Sequence, residues 1–158
     1  MTLHEFVLFA DHHQFYLQDE AAHGDWSEAW TPEASERLLA VAPGTLGIGT
    51  VRNMHVPVRL EVLGAEPAED FEAWGHVVAC SLAAPSGRIV VAGCMDYLPD
   101  AARVDVPAGG LRARVSYGAL DSLSLDGLDG DDHYRVQLWP GGPVLVSVLK
   151  QRPSPAPA

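Results

Sequence analysis

The side chains best suited to chemistry are seven histidines, two cysteines and an aspartate-rich run near the C-terminal third. His12 and His13 are adjacent. In a strand they point to opposite faces, so they cannot chelate one ion together. Zinc would need further ligands from His4, His23, His55, His76 or His133, and no HxH or HxxxH spacing brings them into one cluster. The run Asp126-Gly-Leu-Asp129-Gly-Asp131-Asp132 offers carboxylates for a calcium ion. It lacks the alternating aspartates, and the distant bidentate glutamate, of an EF-hand. Cys80 and Cys94 flank the turn Pro85-Ser86-Gly87. If that turn closes a hairpin, its loop length decides whether they face each other or point to opposite sides. No CxxC, GxSxG, P-loop or GxGxxG motif occurs. The reading is therefore of no catalytic residue, no metal site and no cofactor: a non-enzymatic protein.

The charge balance is more informative. Ten basic residues face 21 acidic ones, for a formal net charge of −11 in 158 residues, and nine of the ten bases are arginine. A nucleic-acid binder needs basic surface to neutralise phosphates, so direct DNA or RNA binding is excluded; the same sign disfavours anionic membranes. A basic protein or a small molecule is a partner this charge allows. The acids fall in groups at 19–36, 61–72 and 121–132. Two cysteines make no disulfide scaffold, and residues 1–5 lack the basic start of a signal peptide. The expected compartment is the cytoplasm.

Short alternating segments punctuated by Gly, Pro, Asn and Asp must position these groups. The clearest is 54–62, where Met54, Val56, Val58, Leu60 and Val62 alternate with His55, Pro57, Arg59 and Glu61. Pro57 lacks a ladder donor, which predicts an edge strand or a bulge there. Further strands are expected over 5–9, 12–17, 45–51, 75–83, 88–95, 102–106, 111–117, 133–138 and 144–149. Pro85-Ser86-Gly87 reads as a hairpin turn. One helix is expected, capped by Thr31, opened by Pro32 and Glu33, and stopped at Pro43-Gly44. The expected fold is an all-β antiparallel sandwich of nine or ten strands with one short α-helix. It forms a single domain over 1–150, with a flexible Pro/Ala-rich tail at 151–158. Its core should include Phe15, Leu17, Ile48, Val56, Val58, Leu60, Val78, Val91, Val115, Val136, Leu138 and Val146. Three of the four tryptophans are expected to cap that core at its rim.

The run His13-Gln14-Phe15-Tyr16-Leu17-Gln18-Asp19, the run Trp30-Thr31-Pro32-Glu33-Ala34 and the pair Arg52-Asn53 resemble the competence-protein-J family of bacterial DNA-entry nuclease inhibitors. The second half resembles uncharacterised bacterial β proteins through runs at 74–78, 127–134 and 138–141. The chain is longer than the family pattern at 64–73 and 118–132. The resemblance implies an acidic, non-enzymatic β protein that occupies the basic surface of a partner, such as a nuclease. No individual inhibitory residue follows from it. From the charge and aromatic pattern, the candidate contact residues are Asp19, Glu20, Asp25, Trp26, Glu28, Trp30, Asp129, Asp131 and Asp132. The alternative is a metal- or small-molecule-binding sandwich using the histidines and the acidic loop. A third possibility is a module that pairs through an edge strand such as 54–62.

Overall fold

The alternation at 54–62 is realised as β5 (His55–Val62), with Val56, Val58, Leu60 and Val62 buried and the intervening residues turned outward. Ten further strands accompany it among the described residues. They are β1 (Thr2–Phe9), β2 (Gln14–Asp19), β3 (Leu39–Ala42), β4 (Thr45–Gly49), β6 (His76–Ala84), β7 (Arg88–Gly93), β8 (Ala102–Asp105), β9 (Gly109–Gly118), β10 (His133–Pro140) and β11 (Ser147–Lys150). They range from β4, buried throughout, to β11, with no buried residue. This computed structural model describes residues 1–22 and 28–153. Asp25 and Trp26, and the tail from residue 154 onward, lie outside the described residues.

The strands form two sheets, one in the order β1-β5-β10-β9-β6-β11 and one in the order β3-β4-β2-β7-β8. The core lies between them. Phe15, Leu17, Ile48 and Val91 of the second sheet face Val58, Leu60, Val78, Val115, Val136 and Leu138 of the first, all buried. Val146 is the exception among the expected core residues, only partly buried at the margin. An aromatic chain runs through the middle: Phe15 meets Tyr134 at 6.0 Å, and Tyr134 meets Tyr117 at 5.8 Å, both edge-on. Edge-on contacts of this kind add about 0.5–1.5 kcal/mol each beyond area burial.

Several expectations are corrected. β5 is an inner strand, antiparallel to β1 but parallel to β10, so the sheets are not purely antiparallel. Pro57 is tolerated there because pairing with β10 begins at Val58, and Val7, its partner on β1, needs no hydrogen from it. Pro85-Ser86-Gly87 is a tight turn but not a hairpin. Gly87 N–H donates to Ala84 O at 3.1 Å with Gly87 at φ 74°, yet β6 joins the first sheet and β7 the second. Cys80 and Cys94 are thus never cross-strand neighbours; both are free, Cys80 buried and Cys94 exposed. His12 and His13 do not extend β2: they close a 3-10 turn over Asp11–His13, both at positive φ, that carries the chain between sheets.

The helix, α1 (Pro32–Arg37), starts as its sequence directs, with Thr31 Oγ1 accepting from Ala34 N–H at 3.1 Å. It ends earlier than expected. Leu38 adopts a left-handed conformation at φ 61°, and its carbonyl accepts from both Gly49 N–H and the Tyr117 hydroxyl. Pro43-Gly44, expected to stop the helix, instead turns the β3–β4 hairpin with Gly44 at φ 67°. That hairpin adds an eleventh strand to the expected nine or ten.

Gly93, the last residue of β7, is packed against backbone: a methyl group there would come within 2.2 Å of Phe9 O. We predict that Gly93→Ala destabilises the fold by about 1–3 kcal/mol, because the obstacle cannot rotate away. Gly64→Ala, with open space around it, serves as the neutral control in the same urea titration.

Candidate partner-binding surface

The strand registers give the sandwich two distinct ends. At one, β1 finishes, β2 begins, α1 sits, and the long segment 119–132 joins β9 to β10. At the other, β2 ends beside the turn at 85–87. The contact residues expected from sequence are divided between these ends.

Asp19 and Asp132 leave the contact set. Asp19 is buried at the far end, where its carboxylate accepts from Ala21 N–H, Ser86 N–H and the Ser86 hydroxyl at 3.1, 3.2 and 2.6 Å. Asp132 is buried at the α1 end. One oxygen lies 2.9 Å from Arg52 Nε, and the other accepts from the Tyr134 hydroxyl at 2.7 Å. Tyr134 in turn accepts from Val51 N–H at 3.1 Å. Burial first, and the Asp132 carboxylate second, push the Tyr134 phenol up. Both aspartates are therefore internal clamps, holding partners that sequence spacing could not indicate. Glu20 is exposed at the far end, neutralised by Arg88 at 3.6 Å and Arg103 at 3.8 Å.

Glu28, Asp129 and Asp131 are exposed. Trp30 is half-buried on the outer face of the second sheet, its indole N–H donating to Gln14 Oε1 at 2.7 Å. Trp74 and Trp139 lie on the outer face of the first sheet. None of the three described tryptophans caps the core: alternation along β10 turns Trp139 outward, and Trp30 and Trp74 sit in connecting segments packed on outer sheet faces.

A charge asymmetry emerges. Nine of the ten basic side chains bond to groups of their own chain, including Arg37 to Leu39 O, Arg52 to Asp132, Arg59 to Glu61, Arg88 to Glu20 and Arg135 to Asp70. Arg103, Arg112, Arg114 and Lys150 complete the set through backbone carbonyls. At the α1 end, by contrast, Glu33, Glu36, Asp121, Asp126, Asp129 and Asp131 are all exposed, and none forms an ion pair among the described residues. Of the bases at this end, Arg37 and Arg52 are turned inward, while Arg152, half-buried beside His76, joins no ion pair among the described residues. Six exposed carboxylates against that one base leave this end with a net negative field.

The segment 119–132 is held in one shape by its own bonds. Ser124 N–H donates to Asp129 O at 2.8 Å and Asp131 N–H to Ser122 Oγ at 2.8 Å. The Ser124 hydroxyl and Leu128 N–H hold the Asp126 carboxyl below its ordinary range. Among the described residues, no three His, Cys, Asp or Glu side chains lie close enough to share a metal ion. Burial pushes the Cys80 thiol up to about 12, so it is no nucleophile at neutral pH.

Sequence reasoning missed a second feature. Residues 64–75 form a strap across the outer face of the first sheet. Arg114 donates to Pro67 O and Ala68 O at 3.3 and 3.1 Å, and its guanidinium lies near the Phe71 and Trp139 rings. Arg135 grips Asp70 with two bonds of 2.6 and 2.7 Å and stacks on Trp74 at 4.6 Å. That grip holds the Asp70 carboxyl below its ordinary range. Trp74 then walls a groove of about 670 Å³ whose floor is β1, β5 and β10. The available signal was Arg112, Arg114 and Arg135 on outward strand positions, with the acids at 66–72 as their complement.

His76 is buried at the α1 end, its Nε2–H donating to Arg37 O at 2.7 Å and its Nδ1 accepting from Arg152 N–H at 3.1 Å. The bond accepted at Nδ1 needs the neutral ring, whereas Nε2–H can donate in either protonation state, and burial lowers the pKa below the ordinary 6.5 against the pull of the Arg37 carbonyl. The folded state therefore binds fewer protons than the unfolded chain. The stabilisation is complete above the unfolded pKa of about 6.5 and is lost as pH falls from there through the lowered folded value. His76→Gln should flatten the slope of unfolding free energy against pH in that acid window, as read by denaturant titrations.

The architecture is that of an all-β protein with two sheets and one short α-helix among the described residues. In that architecture it is similar to two solved structures. One is ComJ from Bacillus subtilis, an inhibitor of the DNA-degrading activity of NucA: 18% identity, TM-score 0.65, covering 88% of this chain and 95% of that one. The other is the product of crocagin biosynthetic gene J: 17% identity, TM-score 0.60, covering 88% of this chain and 97% of that one. At such identities the likeness is one of fold. No protein-family model matches the chain, and no curated protein sequence does.

Proposed function

We propose that this protein is a non-enzymatic inhibitor that binds a basic partner protein through its α1 end, with a nuclease as the first candidate partner. The observation that carries the reading is the charge asymmetry: arginines engaged internally, and six exposed, unpaired carboxylates gathered at one end. A nuclease holds phosphate backbones with basic surface, and an array of exposed carboxylates can take the place of those phosphates. The fold shared with ComJ supports an inhibitory role. The proposed setting is the cytoplasm; among the described residues, no helix is long and apolar enough to cross a membrane.

The test is a DNA-degradation assay with purified basic nucleases of the source cell, titrated with this protein at rising salt. Inhibition that weakens steeply from low to physiological ionic strength supports the reading, since screening over about 8 Å cuts exposed charge attraction. Unchanged nuclease activity at every salt concentration overturns it.

A further inference from the structure

β1 is an edge strand of eight residues, paired on one side with β5 in an unbroken register from Thr2↔Val62 to Phe9↔His55. Two observations fix which of its peptide groups are used. Pro57, opposite Val7, has no N–H to donate, and Ala10 N–H donates to Met54 O one step beyond the strand. Antiparallel pairs alternate between bonded and non-bonded, so Thr2, His4, Phe6 and Leu8 bond to β5. Leu3, Glu5 and Val7 then aim their N–H and C=O groups at the free edge, and no backbone bond among the described residues meets them.

The side chains of the same three residues lie on the outer face, with Leu3 50% and Val7 70% exposed. Glu5 between them makes no ion pair among the described residues, since Arg59 opposite is drawn to Glu61 at 3.1 Å. Native edges are ordinarily blunted by charged side chains, lysine above all, by proline, a bulge or brevity; of these β1 has only the single charge of Glu5.

We infer that β1 is a docking edge that accepts an extended segment of a partner as an added strand, with a basic residue placed opposite Glu5 and apolar residues opposite Leu3 and Val7. The backbone bonds would supply affinity and the Glu5 carboxylate the selection. A second copy of this chain fits poorly. An antiparallel pairing of β1 with itself that uses all three outward residues sets Glu5 against Glu5, between chains each of net charge −11. The choice of a basic segment rests on the proposed basic partner; the free edge does not.

The experiment is amide hydrogen exchange by NMR on the full chain, with a capped peptide Thr-Val-Thr-Lys-Thr-Val-Thr at millimolar concentration. Its control carries Glu in place of Lys. In the free protein, Leu3, Glu5 and Val7 exchange fast while His4, Phe6 and Leu8 are protected. The lysine peptide should slow the three fast amides by about tenfold or more, and the glutamate peptide should not. Glu5→Pro, which removes an outward N–H without touching the pairing to β5, should abolish the effect. Glu5→Lys, which keeps that N–H, should reverse the peptide preference if the proline variant does not fold. No slowing by either peptide, or equal slowing by both, overturns the inference. Slowing with protein concentration alone, without peptide, also overturns it and assigns the edge to self-association. No nuclease is present, so this failure leaves the inhibitor reading standing. Failure of the nuclease assay likewise leaves the peptide result intact.

Discussion

Asp132→Ala is expected to cost about 3–5 kcal/mol of folding stability, a large share of the roughly 5–15 kcal/mol that holds a typical domain. The cost comes from what is left behind. Arg52, whose side chain is only 11% exposed, keeps its charge and loses the carboxylate 2.9 Å away. Tyr134 loses the acceptor of its hydroxyl while remaining buried in the core. Removing the stranded charge as well, in Arg52→Met with Asp132→Ala, should recover part of the loss and not all of it, because the cavity and the Tyr134 hydroxyl remain. Guanidinium titrations of the two variants beside the parent check this. Equal stability of the single variant and the parent would mean that Asp132 is not the internal clamp its bonds describe.

The second large effect is on binding. Glu36, Asp121, Asp129 and Asp131 are exposed at the α1 end, and none of their side chains is hydrogen-bonded among the described residues. Changing all four to lysine takes the formal net charge from −11 to −3, since each replacement adds two positive charges. The association rate with a basic partner should fall about tenfold or more, because steering of this kind raises on-rates by factors of about 10–10³. A control makes the same change in net charge elsewhere, at Glu20, Glu66, Glu69 and Asp105. If the field of the α1 end is what steers, the control should lose far less. If the two variants lose equally, net charge acts without a localised surface. Stopped-flow association at low and physiological salt separates these results.

The legibility of the sequence followed the range of the interactions. Period-2 alternation in β5 and β10, and the Thr31-Pro32-Glu33 start of α1, are local signals, and both survive in the structure. The end of α1 was not legible, because Leu38 turns left-handed without a glycine, held by Tyr117 from 79 residues away. Pro85-Ser86-Gly87 announced a turn correctly, but a turn does not say which sheet the next strand joins. Among the acids, composition marked the α1 end but also marked Asp19 and Asp132, whose partners Ser86 and Arg52 come from distant segments. The order of landmarks resembling competence-protein-J inhibitors pointed to the fold later found to be shared with ComJ.

The parallel pairing of β5 with β10 also bears on how the chain can be assembled. β10, residues 133–140, lies between β5 and β9 and is, among the described residues, the only strand that bonds to both. Until it arrives, the first sheet exists as two unlinked pieces, the β1–β5 pair and the β6–β9 pair. Most of the chain must therefore leave the ribosome before that sheet can close, and its closure waits on contacts of long sequence separation. Such topologies fold slowly, in about milliseconds to seconds, with open strand edges in the interval. A chain shortened before residue 133 should lack a closed first sheet altogether, however intact its N-terminal strands.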